Sequence, residues 1–164
     1  MESAPAWKIL TAKTTEHFEQ ARYLFQAYAD WLQVDLSYQH FEQELTLIPQ
    51  MYGPPHGKLL LAYVNDTAVG CVGVRPFKTT TCEMKRLYVN SDFQGLGIGR
   101  ALAKQIIQEA CSLGYDSMVL DTLKRMQSAR RLYQSLGFEE TSPYYENPLP
   151  EVIYLKMVLL CNNN

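Results

Sequence analysis

The sequence has little that would mark a membrane protein, a disulfide scaffold or a metal centre. No stretch approaches the roughly 18 apolar residues of a membrane span, and the opening Met1-Glu2-Ser3-Ala4-Pro5-Ala6-Trp7-Lys8 has neither a basic start nor an apolar run of signal-peptide length. A cytoplasmic protein with no membrane partner is expected. The four cysteines, Cys71, Cys82, Cys111 and Cys161, are scattered and form no Cys-x-x-Cys pair. Reduced thiols, mostly buried as small hydrophobes, are the expectation. His17, His40 and His56 have no metal-like spacing with one another or with the cysteines, and there is no G-x-S-x-G motif, so no metal and no serine nucleophile are expected. With 15 Lys plus Arg against 17 Asp plus Glu, the formal charge is -2, too weak a field to collect nucleic acid. Lys124, Arg125, Arg130 and Arg131 do cluster, but on one helix and its entry, without interleaved stacking aromatics.

Instead the sequence has core. Its 164 residues are 47% hydrophobic, 12% aromatic and 20% charged, which suits one domain over 1–164, without repeats or an interdomain linker. After a short apolar start, Phe18, Ala21, Leu24, Phe25, Tyr28, Trp31 and Leu32 recur at three- and four-residue steps and predict a helix over 15–33. A shorter helix is predicted over 38–47, closed by Pro49 and Gly53-Pro54-Pro55. The period then changes to that of strands, at 59–64, 68–74 and 82–89, joined by tight turns as a sequential antiparallel set. Ile98, Leu102, Ile106, Ala110 and Leu113 mark a helix ending at Gly114, followed by a strand at 117–121, a helix over 126–136 and strands at 138–140 and 153–160. The order β-α-α-β-β-β-α-β-α-β-β is an α+β layout on one mixed, mostly antiparallel central sheet flanked by helices.

The most informative segment joins the third strand of that set to the next helix: Gln94-Gly95-Leu96-Gly97-Ile98-Gly99-Arg100. Glycines leave backbone amides unobstructed, and the positive end of the following helix attracts a pyrophosphate. A tight turn without a ligand is the alternative. The spacing is wrong for a dinucleotide fingerprint, whose last glycine falls on Arg100, and the G-K-[ST] of a Walker loop is absent.

Gln94 to Gly99 resembles the [RQ]-x-x-G-x-[GA] signature of the GNAT N-acetyltransferase superfamily, and Leu132-Tyr133 with Leu136-Gly137-Phe138 is similar to that family's L-Y-x-x-x-G-F helix ending. The likeness spans 59–160, and 11–50 matches only as the helices that shape the acceptor side in that family. It implies acetyl-coenzyme A as co-substrate, with Gln94, Gly95, Leu96, Gly97, Ile98 and Gly99 on its pyrophosphate. It also implies that backbone amides at Leu87, Tyr88 and Val89 lie on the pantetheine arm and thioester carbonyl, beside a splay in the sheet. Arg100, with Lys104 one turn on, would add charge near the phosphates, or would form a solvated helix face. Where relatives carry an Asn this chain has Met126, and Ser128 or Gln127 is the candidate substitute.

By the same resemblance Glu83 and Tyr133 are the catalytic pair, Glu83 taking the ammonium proton, directly or through water, and Tyr133 protonating the departing thiolate. Half-burial is expected to raise the Glu83 pKa, and a phenol of ordinary pKa about 10 suits an alkyl thiolate. The alternatives are an ion pair of Glu83 with Lys85 or Arg86, and a core role for Tyr133. On the acceptor side, Arg75 is a fork for a substrate carboxylate or else a salt-bridge partner, Asp121 ends a strand and meets a cationic substrate or caps a turn, and Tyr28 and Tyr145 are candidate aromatic walls. The expected activity is acetyl transfer to a primary amine of a small molecule such as an amino acid or polyamine. A protein or peptide amino group and a non-catalytic coenzyme A-binding module are the alternatives, and homodimer formation is left open.

Overall fold

Local signals start and stop the helices. In the computed structural model, which describes residues 3–161 apart from the side chain of Tyr38, strand β1 (Trp7–Thr11) leads into α1 (Thr15–Leu32) through a reciprocal cap. The Thr14 hydroxyl accepts from the His17 amide at 3.1 Å, and His17 Nδ1 accepts in return from the amides of Thr14 at 3.3 Å and Lys13 at 3.0 Å. His17 is thereby a capping residue. The buried stripe of α1 is Ala21, Leu24, Phe25 and Leu32.

The region predicted as one helix closed by a loop is two helices, α2 (Phe41–Thr46) and α3 (Ile48–Tyr52). Pro49 opens α3 instead of ending the helical region, because its missing N–H and fixed φ cost nothing in a first turn. Strands β2 (Lys58–Val64), β3 (Thr67–Pro76) and β4 (Thr81–Val89) follow, then α4 (Ile98–Ser112), β5 (Ser117–Leu123), α5 (Gln127–Leu136), β6 (Glu139–Thr141) and β7 (Val152–Val158).

Among the described residues the strands form one sheet in the order β1-β2-β3-β4-β5-β7-β6. The β4–β5 pairing is parallel and the others are antiparallel, so the expected mixed α+β architecture is the observed one. Period-two alternation divides β2 between two cores. Leu60, Ala62 and Val64 pack with α4, and Leu59, Leu61 and Tyr63 pack with α1 and α3. Among the described residues, no helix is long and apolar enough to cross a membrane.

Two features of β4 prepare the site. Its pairing with β5 covers only Thr81–Glu83 against Ser117–Val119, while β5 continues along β7 from Leu120 to Leu123. Beyond Glu83 the two strands therefore diverge. On the other side, the register with β3 slips between Cys71 and Gly73, and Arg86 sits at φ +60°, a left-handed conformation rare for a long side chain. A bulge of this kind bends the strand that carries it. The Cys71 thiol donates to the Arg86 carbonyl at 3.2 Å and pins it.

The cysteines divide into two kinds. Cys71 and Cys82 are buried and free, as expected, and burial raises both thiols well above the ordinary range. Cys111 and Cys161 are joined in a disulfide, contrary to the expectation of four reduced thiols. Their separation of 50 residues hid the pairing, since only the fold brings their Cα atoms to 5.5 Å.

Candidate active site

Two adjoining spaces that share wall residues occupy the divergence. The outer one is a cleft of about 510 Å³, walled by Leu87, Tyr88 and Val89 of β4, by the loop and first turn of α4, and by the first half of α5 with Trp31 of α1. The inner one holds about 60 Å³ between Met84–Leu87 and Leu120–Leu123, closed by Tyr28, Leu32, Leu36, Gln39 and Leu149. Leu87, Met126, Ala129 and Tyr133 line both, so Tyr133 stands at their junction.

The glycine loop leaves its backbone amides open to the cleft. Gly95 and Gly97 adopt φ of +83° and +85°, and a Cβ at either would meet nothing within 4 Å, so these glycines serve conformation and not packing. Gly97 is the N-cap of α4 and no side chain caps it. The helix's first amide bond runs from Ala101 to the Gly97 carbonyl at 3.1 Å, which leaves the preceding amides for a ligand. Met126 caps α5 equally poorly, with no side-chain hydrogen bond, and its helix start faces the same cleft. Two uncapped helix starts and an open cleft fit a coenzyme pyrophosphate and the arm attached to it.

The residues expected from the sequence fall into three groups. Leu87, Tyr88, Val89, Gln94, Gly95, Gly97, Ile98, Gly99, Arg100 and Ser128 all wall the outer cleft, as does Gln127. Leu96 packs against the core instead. Tyr28 and Asp121 line the inner cavity with Tyr133, although Asp121 lies inside β5, paired with Tyr154, and does not end the strand. Tyr145 reaches the site indirectly, its hydroxyl donating to Asp121 Oδ2 at 2.6 Å.

Glu83 and Arg75 form the third group, in neither cavity wall. They pair with each other: Arg75 Nε donates to Glu83 Oε1 at 3.0 Å, and the Tyr144 hydroxyl donates to Oε2 at 2.6 Å. Arg75 is thus committed to a carboxylate of the chain itself. The expected upward shift of Glu83 is reversed. Burial pushes its pKa up, but the charges of Lys85 and Arg75 with the hydrogen bonds from Tyr144 and Arg75 outweigh it, and the group stays below the ordinary carboxylate range. Burial pushes Tyr133 above the ordinary phenol value, with the charges of Tyr28 and Asp121 adding to it, so its proton is held throughout neutral pH.

Sequence reasoning missed the buried polar network beneath the cavity. Arg86 donates from Nε to Glu44 Oε2 at 2.9 Å and from a terminal nitrogen to Oε1 at 3.0 Å, and Tyr52 donates to the same carboxylate at 3.2 Å. Gln39 accepts from Arg86 at 2.9 Å and from Lys85 Nζ at 3.1 Å, and its own amide donates to the Tyr145 hydroxyl at 3.1 Å. Lys85 is only 5% exposed, and burial, then the charge of Arg86, lowers its pKa. The signal available was a strand carrying Glu83, Lys85 and Arg86 among apolar neighbours. Its partners Gln39, Glu44 and Tyr144 lie too far along the chain for pattern to find.

Residues 20–138 match the Acetyltransferase (GNAT) family. The chain belongs to that family. It is 45% identical over 151 residues to an uncharacterised N-acetyltransferase of Schizosaccharomyces pombe, covering 91% of this chain and 93% of the relative. Among solved structures, a GNAT acetyltransferase from Staphylococcus aureus superposes with TM-score 0.77 at 20% identity, over 94% of this chain and 99% of that one. A second neighbour, yncA from Salmonella typhimurium, solved with acetyl-CoA, has TM-score 0.66 at 20% identity and 97% of each chain covered. This GNAT protein is accordingly an acyltransferase of the N-acetyltransferase class, and the two uncapped helix starts flank its cleft.

Proposed function

We propose that this GNAT enzyme transfers the acetyl group of acetyl-coenzyme A directly to the primary amine of a small molecule. The observation that carries the reading is the junction at Tyr133, where a cleft sized for a coenzyme arm meets a small cavity walled by buried and half-buried side chains. A space of about 60 Å³ suits a compact amine and would not admit a folded polypeptide segment. The Salmonella fold neighbour solved with acetyl-CoA supports the choice of coenzyme.

The coenzyme supplies an activated thioester. Of the chain's own groups, the amides of Leu87 to Val89, on the stretch of β4 unpaired with β5, are placed to hold the arm and polarise the thioester carbonyl. The amine nitrogen forms the new N–C bond and the C–S bond breaks. Two protons leave the ammonium overall, one ending on the coenzyme sulfur and one in solvent. Tyr133 gives its hydroxyl proton to the departing sulfur and is then reprotonated. Glu83, ionised at neutral pH and outside the cavity wall, receives the first ammonium proton at one remove, through water.

The test follows thiol release by the purified enzyme with acetyl-coenzyme A, over a panel of small amines and a panel of peptides. Turnover of small amines with peptides inert is expected. Acetylation of peptides alone would overturn the reading. Glu83→Gln should lower turnover at neutral pH with coenzyme affinity kept, and unchanged turnover would remove Glu83 from the path.

A further inference from the structure

The inner cavity carries one positive and one negative side chain that are not ion-paired with each other. Among the described residues the ion pairs are Lys58–Glu109, Arg75–Glu83 and Arg86–Glu44, and neither Lys85 nor Asp121 belongs to one. Lys85 is a buried ammonium whose hydrogen bond goes to a neutral amide, Gln39 Oε1. Asp121 accepts from a neutral phenol, Tyr145. Both line the same space of about 60 Å³ as Tyr133. A buried charge whose hydrogen-bond partners are neutral and whose counter-charges do not touch it stays costly until a direct partner arrives. Glu83 and Asp121 act on Lys85 through charge alone, without an ion pair, and Glu83 spends its hydrogen bonds on Arg75 and Tyr144.

We propose that the acceptor is a small zwitterionic amino acid, its carboxylate on the Lys85 ammonium and its own ammonium directed by Asp121 toward the thioester at Tyr133. The inference rests on the small-amine reading above and narrows it. A cavity of this volume has room for about four water-sized groups, enough for the charged ends of an amino acid. A polyamine would bring a second cation beside Lys85 and Arg86, where like charges repel. A peptide amino terminus would bring no carboxylate to Lys85. Gln39 links the two halves, since it accepts from Lys85 and donates to Tyr145, which in turn holds Asp121.

The experiment compares each of a panel of amino acids with its own carboxamide, which keeps the amine and removes only the negative charge. With the wild-type enzyme and saturating acetyl-coenzyme A, the best amino acid should exceed its carboxamide in kcat/KM by about 30-fold or more, the scale of losing one buried charge partner. Lys85→Met should abolish that ratio, chiefly through KM for the acid, and a ratio is insensitive to the folded fraction of a damaged variant. Asp121→Asn should raise KM for acid and carboxamide alike. Equal rates for acid and carboxamide, or a ratio surviving in Lys85→Met, would overturn the proposal and leave the small-amine reading standing. Acetylation of peptides alone would overturn both. If Lys85→Met does not fold, the wild-type ratio decides by itself. A wild-type enzyme that binds acetyl-coenzyme A yet turns over no amino acid also refutes the assignment.

Discussion

Replacing Glu44 by Gln leaves the shape of the side chain and removes the charge opposite Arg86. Glu44 is 2% exposed and Arg86 6%, and the pair has two hydrogen bonds, at 2.9 and 3.0 Å. Removing one member of such a pair strands the other and costs about 3–5 kcal/mol. Arg86 would keep Gln39, at 2.9 Å, and the face of Phe41, 5.2 Å from its guanidinium carbon. The loss therefore belongs near the lower bound, about 3 kcal/mol, or a fall in Tm of about 6–12 °C for a chain of this size. Urea denaturation at neutral pH measures it. The double variant Glu44→Gln with Arg86→Met should recover most of the loss, because no unpaired buried charge remains.

The pH dependence has a definite sign. Burial alone would raise the Glu44 pKa, but the hydrogen bond and charge of Arg86 outweigh it and hold it below the ordinary value of 4.5. The folded value lies below the unfolded one, so the contribution is fully present above pH 4.5 and is lost as pH falls through the lower folded value. The difference in stability between wild type and Glu44→Gln should shrink in that acid window. A loss at neutral pH below about 1 kcal/mol, the scale of an exposed pair, would refute the claim that Glu44 and Arg86 form a buried, mutually dependent pair.

Other perturbations separate coenzyme binding, chemistry and stability. Tyr133→Phe should lower kcat by about 100-fold with acetyl-coenzyme A affinity unchanged by calorimetry, and an unaltered kcat would return Tyr133 to the core. Gly97→Val places a β-branched residue at φ +85° with no steric neighbour, so it should cost about 1–3 kcal/mol through backbone strain alone and weaken coenzyme affinity at least tenfold. Unchanged affinity would mean that the loop geometry is not read by the ligand. Reducing the Cys111–Cys161 bond, which closes a 50-residue separation, should remove up to about 4 kcal/mol on the chain-entropy account, seen as a lower Tm with reductant. Equal melting with both thiols shown to be free would contradict that account.

Most of the architecture was legible because it depends on near neighbours in sequence. The stripe of α1, the alternation of β2 and the glycines before α4 announce their elements directly. Pro49 misled because the same residue that ends one helix opens the next. The walls of the outer cleft were legible for the same local reason, as Leu87–Val89 and the glycine loop are contiguous with the strand and helix that place them. The acceptor side was not. Lys85 and Arg86 are ordinary charges until the bulge of β4 buries them against Gln39 and Glu44, and the state of Glu83 reverses once Arg75 and Tyr144 converge on it. Burial, charge pairing and the Cys111–Cys161 bond are tertiary facts that no period in the sequence encodes.

Calorimetric titration of the purified protein with acetyl-coenzyme A, beside a dinucleotide, tests most directly that the cleft between the two uncapped helix starts is a coenzyme site. Micromolar binding of acetyl-coenzyme A at one site per chain, with no heat from the dinucleotide, is the result predicted. A folded protein that takes up neither ligand, or that prefers the dinucleotide, would contradict it.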